Sequence, residues 1–327
     1  MRYIVGVDLG GTNIVVGTVA EDGSAIHGVR SAATRPEEGA RAVVDRIARL
    51  ALESMADAGQ KAGITREMVW GVGIGSPGPL DIARGIVLVT PNLGWRDFPL
   101  RQLVREGLGM PATLDNDANC AVYGEWWVGA GRGTRYLVGL TVGTGIGGGI
   151  VLDGKLYHGA SDMAGEIGHT TIDTSGRRCK CGNYGCLEAY ASGPAIAARA
   201  VEGLEAGAES RLPEYVHGDL AKITAQVVYE AANEGDDFAL EVVRDTAKFL
   251  GAGVASMINT FNPEMIVIMG GVTLAGDRLF VPLRSEVKRR AFKVMADGCR
   301  ILPGALPGTA GVFGAAATFK LQTTGSV

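Results

Sequence analysis

The chain has 327 residues, a formal net charge of −4 and 46% hydrophobic residues, as expected for a globular protein of about two domains. The acidic balance, without a dense cluster of Lys and Arg, disfavours nucleic acid as a partner. No apolar run reaches the roughly 18 residues that a membrane-spanning helix requires, so a membrane is not expected as a partner either.

The first predicted element is a β-hairpin. Residues 3–8 are apolar as in a buried strand, residues 9–13 read Leu-Gly-Gly-Thr-Asn as in a turn, and residues 14–19 form a β-branched return strand. P-loops and Rossmann sites place a helix after their glycines, and the β-branched run disfavours a helix here. The pattern therefore predicts a glycine-tipped hairpin and argues against a dehydrogenase.

Helix and strand signals alternate after this hairpin. Residues 38–58 carry apolar side chains at helical spacing, residues 69–74 predict a buried strand that ends in a turn at 75–79, and residues 91–95 predict a further turn. Alternation of this kind is typical of an α/β protein.

An acidic step follows the next strand. The strand predicted at residues 111–114 runs into Asp115, Asn116 and Asp117. Open α/β sheets bind ligands at the carboxyl ends of their strands, where a carboxylate can take the proton of a hydroxyl group that attacks a phosphate. The same residues also suit an Asx turn or a helix N-cap. Both interpretations stay open on these residues alone.

The first hairpin pattern returns later in the chain. Residues 136–142 predict a strand, residues 143–149 are rich in glycine, and residues 150–154 lead away from them. Two glycine tips offer backbone N–H groups and a threonine hydroxyl to a polyphosphate. Asp8 of the first copy is replaced by Thr141 in the second, so a single carboxylate remains to position Mg²⁺. Two tight hairpins without a ligand are the alternative.

The second half of the chain adds one more strand and several helices. Residues 265–269 predict a strand, and the Gly270-Gly271 turn after it is predicted to face the adenosine of a nucleotide. Helices are predicted at residues 193–202, 220–233, 236–259 and 308–320.

The most specific signal is a cluster of metal-binding residue types. His169, Cys179, Cys181 and Cys186 can close a tetrahedral Zn²⁺ site, and four protein ligands leave no open position, so the zinc is predicted to be structural. Buried cysteines or a disulfide are the alternatives. Five cysteines in a chain that shows no secretory signal at its start favour a metal. Two carboxylates flank the cluster and are predicted to hold a polyol: Glu166 and Glu188.

Together these motifs resemble the ROK family of bacterial sugar kinases, and most closely its glucokinases. The resemblance covers nearly the whole chain. It rests on Asp8-x-Gly10-Gly11-Thr12-Asn13, Gly75-Ser76-Pro77-Gly78, Asn116-Asp117-Ala118-Asn119, Gly143-Thr144-Gly145-Ile146-Gly147-Gly148, Glu166-Ile-Gly-His169 and Cys179-x-Cys181-Gly-x-x-Gly-Cys186-x-Glu188.

The resemblance implies an α/β, actin/hexokinase-like (ribonuclease H-like) ATPase fold of two domains with duplicated β-hairpin lobes. The smaller domain would comprise residues 1–117 and about 306–327. The larger domain would comprise residues 118–305 and carry the zinc-binding loop, with the active-site cleft between the two domains.

The resemblance also implies a role for each motif residue. Asp117 would be the general base on the 6-hydroxyl of the sugar. His169 would bind zinc through one ring nitrogen and the sugar through the other. The remaining sugar hydroxyls would be held by Gly78, Asn92, Asn116, Gly148, Glu166 and Glu188. Mg²⁺ and ATP would be held by Asp8, Gly10, Gly11, Thr12, Asn13, Thr144, Gly145, Gly270 and Gly271.

The implied activity is ATP-dependent phosphorylation of glucose at the 6-hydroxyl by a cytoplasmic homodimer or homotetramer. A kinase for fructose, mannose or an N-acetylhexosamine is the main alternative, and polyphosphate is an alternative donor. Two non-enzymatic alternatives are a sugar sensor, which would be expected to lack the base or the phosphate turns, and a DNA-binding repressor. The repressor is disfavoured because the first strand is predicted to begin at residue 2 or 3.

Overall fold

The computed structural model describes residues 1–327 and confirms the predicted α/β class. Its strands, in chain order, are β1 (Tyr3–Leu9), β2 (Asn13–Ala20), β3 (Ile26–Ala33), β4 (Val69–Ser76), β5 (Leu80–Asp81), β6 (Ile86–Thr90), β7 (Trp95–Phe98), β8 (Ala112–Asn116), β9 (Leu137–Val142), β10 (Ile146–Leu152), β11 (Lys155–Leu156), β12 (Met265–Met269) and β13 (Arg300–Pro303).

The helices are α1 (Ala40–Ala62), α2 (Leu100–Leu108), α3 (Asp117–Trp127), α4 (Glu188–Ala191), α5 (Gly193–Glu205), α6 (Leu212–Tyr215), α7 (Ala225–Asn233), α8 (Asp237–Phe261), α9 (Asp277–Arg290), α10 (Lys293–Gly298) and α11 (Ala310–Thr324). Short 3₁₀ turns include Ile167–His169 and Gly271–Ala275. None of the helices is both long enough and apolar enough to cross a membrane.

Two units of the chain are separately compact. The first unit comprises Met1–Arg135, Gly149–Gly165 and Gly304–Val327, and the second comprises Tyr136–Gly148 and Glu166–Pro303. The first unit extends beyond residue 117 because α3 packs against α11 of the same unit. The domain bounds implied by the family resemblance remain a prediction.

The first unit is built on a five-stranded sheet in the order β3-β2-β1-β4-β8. β1 and β2 pair antiparallel as the predicted hairpin, while β4 pairs parallel with both β1 and β8. The carboxyl ends of β1, β4 and β8 therefore meet at one edge of the sheet. A small antiparallel sheet, β5-β6-β7, belongs to the same unit.

Successive side chains of β1 point to opposite faces of this sheet, and both faces are buried. Val5 and Val7 belong to a core with α1 and α2, whereas Ile4 belongs to a second core with α11. Gly6 faces α11 so closely that a Cβ atom would lie 2.1 Å from the Val312 carbonyl oxygen. The helix can approach the strand this closely only because glycine has no side chain.

The second five-stranded sheet has the order β11-β10-β9-β12-β13. β12 pairs parallel with β9 and with β13, and its residues Met265–Met269 are all buried. Strand β10 begins at Ile146, inside the predicted glycine-rich turn, so the turn after β9 is shorter than the sequence pattern indicated.

The predicted helices at 38–58, 193–202, 236–259 and 308–320 are confirmed as α1, α5, α8 and α11. The single helix predicted at 220–233 is wrong in its first part. Leu220–Lys222 form a 3₁₀ turn, and α7 begins only after Thr224. The Thr224 hydroxyl oxygen accepts the Val227 N–H at 3.3 Å, which makes this residue an N-cap and starts a new helix.

Candidate active site

The acidic step at the end of β8 forms the helix N-cap that was one of its two interpretations, and the catalytic interpretation stays a prediction. Asn116 caps α3, because its carboxamide oxygen accepts the N–H groups of Ala118 at 3.0 Å and Asn119 at 3.1 Å. Asp117 is then the first residue of the helix, where the partial positive charge of the helix terminus favours a carboxylate. The cap uses the Asn116 oxygen, so its amide NH₂ is the group that can donate to a ligand.

Asp8 lies near the carboxyl end of β1, and Asp117 follows β8 at the same edge of the sheet. The charge of Asp117 affects the pKa of Asp8. Burial, and then the negative charge of Asp117, raise the pKa of Asp8 to about 7. The Asp8 carboxylate also lies against the first turn of α11, since a Cβ atom on Gly311 would fall 2.3 Å from its Oδ2. A divalent cation beside these oxygens would offset their repulsion and favour the ionised form of Asp8. The residues present therefore suit Mg²⁺, a cation that prefers carboxylate oxygens and water.

The first hairpin turn is closed by its own backbone and braced by Thr34, the residue after β3. The Gly10 N–H donates to the Asn13 carbonyl at 2.9 Å, and Thr12 and Asn13 stand exposed at the tip. Thr34, fully buried, donates from its hydroxyl to the Gly10 carbonyl at 2.7 Å and from its N–H to the Thr12 carbonyl at 2.8 Å. Sequence reasoning missed Thr34, which carries no motif and is recognised only from its contacts.

Two residues predicted to bind sugar also lie in the first unit. A Cβ atom on Gly11 would lie 3.5 Å from the Asn92 Cβ, so Asn92 stands beside the first hairpin turn. Gly78 has a φ of 94°, and a Cβ atom there would lie 2.3 Å from the Val89 carbonyl oxygen. Only glycine fits this position without strain.

The second hairpin turn lies beside an apolar cavity of about 250 Å³ in the second unit. The Gly143 N–H donates to the Gly145 carbonyl at 2.9 Å, and the Gly193 N–H at the start of α5 donates to the Gly143 carbonyl at 2.8 Å. Thr144 is exposed at the tip. The cavity is lined by Val142, Gly143, Gly193, Ile196, Ala225, Gln226, Tyr229, Glu230, Asn233, Gly271, Val272 and Leu274.

This cavity brings together two regions that were predicted to hold nucleotide. Gly143 and Gly271 both line it. Gly270 has a φ of 97° and would place a Cβ atom 2.2 Å from the Val142 carbonyl oxygen, so glycine is required there. Tyr229 of α7 has a buried hydroxyl without a hydrogen-bond partner in the cavity wall. Sequence reasoning predicted a helix here but did not assign α7 to the site, because its apolar face looks like that of any packed helix.

The predicted zinc ligands come together in the second unit. One ligand atom from each of His169, Cys179, Cys181 and Cys186 lies within 4.8 Å of the others. The Cys181 and Cys186 sulfurs are 3.7 Å apart, and the Cys179 sulfur lies 3.8 Å from His169 Nδ1. Zinc bound tetrahedrally to thiolates at about 2.3 Å separates its sulfurs by about 3.8 Å, so the donor set fits the ion.

The residues that flank the zinc ligands extend from this cluster in two directions. His169 turns Nδ1 towards the cluster, while its Nε2 lies 3.9 Å from Glu166 Oε2. Glu188 accepts the Ile146 N–H at 2.9 Å through Oε2. One carboxylate thus lies at the outer face of the histidine, and the other joins the cluster to the start of β10. Gly148 lies buried within β10.

The predicted site residues consequently fall into two groups, and their individual roles remain predictions. The first unit carries Asp8, Gly10, Gly11, Thr12, Asn13, Gly78, Asn92, Asn116 and Asp117, and the second carries Thr144, Gly145, Gly148, Glu166, His169, Cys179, Cys181, Cys186, Glu188, Gly270 and Gly271.

Comparison with known proteins gives matches along nearly the whole chain. The ROK family model matches residues 4–322. A glucokinase of Halalkalibacterium halodurans is 40% identical over 324 residues, which cover 98% of this chain and 96% of that one. A glucokinase of Thermotoga maritima is 40% identical over 323 residues, which cover 98% of each chain.

A solved structure agrees with these relatives. The crystal structure of a ROK family glucokinase from Streptomyces griseus, in complex with glucose and AMPPNP, matches with a TM-score of 0.83 and 36% identity. The match covers 96% of this chain and 98% of that one. This likeness confirms the predicted actin/hexokinase-like ATPase fold. The family match and the two glucokinase relatives together show that the chain belongs to the ROK family.

Proposed function

We propose that this protein is a glucokinase, which transfers the γ-phosphoryl group of ATP to the 6-hydroxyl of glucose and releases glucose 6-phosphate and ADP. The observation that carries the proposal is the pair of carboxylates, Asp8 and Asp117, at the carboxyl edge of the first sheet beside a glycine-tipped turn. A base and a cation-positioning group next to a phosphate-binding turn are the parts that phosphoryl transfer requires. The glucokinase relatives, at 40% identity, give the substrate.

Asp117 is proposed as the general base. Its carboxylate accepts the proton of the 6-hydroxyl as that oxygen forms a bond to the γ-phosphorus. The bond between the γ-phosphorus and the β,γ-bridging oxygen breaks, and ADP leaves with the bonding electrons. The Asn116 cap holds Asp117 at the helix N-terminus, which orients its carboxylate.

Asp8 is proposed to hold Mg²⁺, directly or through its water shell, which neutralises charge on the phosphates of ATP. The turns at Gly10–Asn13 and Thr144–Gly145, in which Thr12, Asn13 and Thr144 are exposed, would offer backbone N–H groups and threonine hydroxyls to those phosphates. The apolar cavity beside Gly143 and Gly271 is proposed to take the adenine ring. An apolar cavity of this kind favours a nucleotide over polyphosphate as the donor.

The zinc cluster is proposed to form one wall of the sugar site. Zinc held by His169 and the three cysteines would be structural, and it would fix the imidazole so that Nε2 donates to a sugar hydroxyl. Glu166 and Glu188 would accept hydrogen bonds from further hydroxyls, with Asn92, Asn116 and the backbone of Gly78 and Gly148 completing the set. Reduced thiolates are needed for this cluster, which is the reason to propose the cytoplasm as the compartment.

The test is a coupled assay of ADP release with glucose, mannose, fructose and N-acetylglucosamine, followed by identification of the phosphorylated carbon. We expect glucose to have the highest kcat/KM and the product to carry its phosphate at the 6-position. A flat profile across the four sugars, or a better substrate among the other three, would contradict glucose as the substrate.

Mass measurement in solution tests the proposed homodimer or homotetramer.

A further inference from the structure

The first residue of the acidic step, Asp115, has no role in the proposed reaction, yet it is the most enclosed of the three. Its side chain is 1% exposed. A carboxylate so far from water is costly unless several donors hold it. Asp115 directly precedes the cap residue and the proposed base, so whatever holds Asp115 also holds the peptide that carries them.

Three donors converge on this carboxylate. His158 Nε2 lies 2.9 Å from Oδ2 and 3.1 Å from Oδ1. Gln322 of α11 donates to Oδ2 at 3.2 Å, and the Asn116 N–H donates to Oδ1 at 2.9 Å. The last of these bonds fixes the peptide between Asp115 and Asn116, one residue before Asp117.

His158 is itself held by the loop in which it lies, residues 158–165. The Ala164 N–H donates to the His158 carbonyl at 3.0 Å, which closes the loop. Asp162 accepts the Ile82 N–H at 3.1 Å, which attaches the loop to β5–β6. Burial acts to lower the pKa of His158, but the hydrogen bond and charge of Asp115, with the charge of Asp162, outweigh it and raise the pKa. The imidazole is thus kept as a donor to Asp115.

We propose that His158 and Asp115 form a positioning pair for Asp117, in which the Nε2–H of His158 holds the buried carboxylate and, through it, the peptide that presents the base. This inference rests on the proposed function. His158 itself touches no substrate in this scheme. Small displacements of a reacting group cost turnover more than binding, so loss of the pair should lower kcat and leave the glucose KM nearly unchanged.

The test compares three substitutions that separate the donor from the shape of the ring. His158→Phe keeps a ring but removes the donor. His158→Gln places an amide NH₂ near the position of Nε2, and His158→Asn carries the same amide on a side chain one methylene shorter, which does not reach. His217, exposed in a loop of the second unit, provides the control substitution His217→Gln.

We expect His158→Phe and His158→Asn to lower kcat by roughly 10- to 100-fold with the glucose KM within about threefold of wild type, and His158→Gln to recover kcat to within about threefold. Equal kcat for all three variants and wild type would overturn the pair, and so would equal losses for Gln and Asn. If His158→Phe does not fold, comparison of kcat for His158→Gln and His158→Asn still tests the pair. An inactive wild-type protein would overturn the proposed function and the pair with it, whereas an active wild type beside an unaffected His158→Phe variant would overturn the pair alone.

Discussion

The two glycine-tipped hairpins share a backbone pattern and differ in what surrounds their turns. The first turn is braced by Thr34, the residue after β3, and its leading strand carries Asp8. The second turn is braced by the Gly193 N–H, its leading strand carries Thr141 at the matching position, and Glu188 reaches its return strand from the zinc cluster. In the proposed reaction, the backbone of both turns would bind the phosphates of ATP. In the proposed reaction, the cation-binding carboxylate would belong to the first copy, and the adenine cavity and one wall of the sugar site would lie beside the second.

Among the hairpin residues, the largest effect is expected from the position at which the two copies differ, Asp8 in the first and Thr141 in the second. We expect Asp8→Asn to lower kcat by roughly 10²- to 10³-fold, because Mg²⁺ loses its carboxylate. The matched substitution Thr141→Val in the second copy should change kcat by less than about threefold. Steady-state kinetics over a range of Mg²⁺ concentrations checks both. Equal losses of kcat in the two variants would mean that the two hairpins do not have different roles.

Asp8→Asn should lower the activity but raise the stability of the ligand-free protein. Asp8 has a raised pKa of about 7, so ionising it disfavours the folded state. The free energy of unfolding should therefore be higher in ligand-free Asp8→Asn than in wild type, by at most about 4 kcal/mol. The gain should grow as pH rises from about 4 to about 7, and it should stay constant above that range. Chemical denaturation at pH 4, 6 and 8 measures it, and a gain that shrinks with rising pH would contradict the assignment.

Removal of zinc should separate sugar binding from nucleotide binding. We expect a chelated sample, or the Cys181→Ser variant, to bind glucose roughly 10- to 100-fold more weakly, because His169 and Glu166 lose their support. Binding of MgADP should change by less than about threefold, since its proposed contacts lie outside the cluster. Calorimetric titration with each ligand and metal analysis of the sample provide the measurement. Unchanged glucose affinity in a zinc-free protein would remove the metal from the sugar site.

The smallest expected effect concerns the brace of the first turn. Thr34→Val removes the hydroxyl that donates to the Gly10 carbonyl at 2.7 Å and keeps the shape of the side chain. We expect the free energy of unfolding to fall by about 1 kcal/mol and the KM for ATP to rise by a few fold, with the KM for glucose unchanged. Thr18→Val, which removes a buried hydroxyl that pairs with Ser54 away from the turn, is the matched control for stability. A similar rise in the ATP KM for both variants would contradict a local role for Thr34.

Local patterns in the sequence were sufficient for the hairpins, the long helices and the cluster of candidate zinc ligands. Strand periodicity and glycine turns depend on neighbours in the chain, and the cysteines that cluster in the structure are also close in the sequence. Contacts between distant segments were not accessible in this way. Thr34, Tyr229 and His158 stand in no motif, and each is recognised by the atom that it holds or faces. The break before α7 was missed because Thr224 was read as part of a helix instead of as its cap.

Asp117 is proposed to act as the base and not to be needed for binding of the sugar. The most direct test of this role measures, on one preparation of Asp117→Asn, the rate of ADP release at saturating glucose and the calorimetric affinity for glucose. We predict that the rate falls by roughly 10²- to 10⁴-fold while the affinity stays within about threefold of wild type. A rate close to that of wild type would contradict the account.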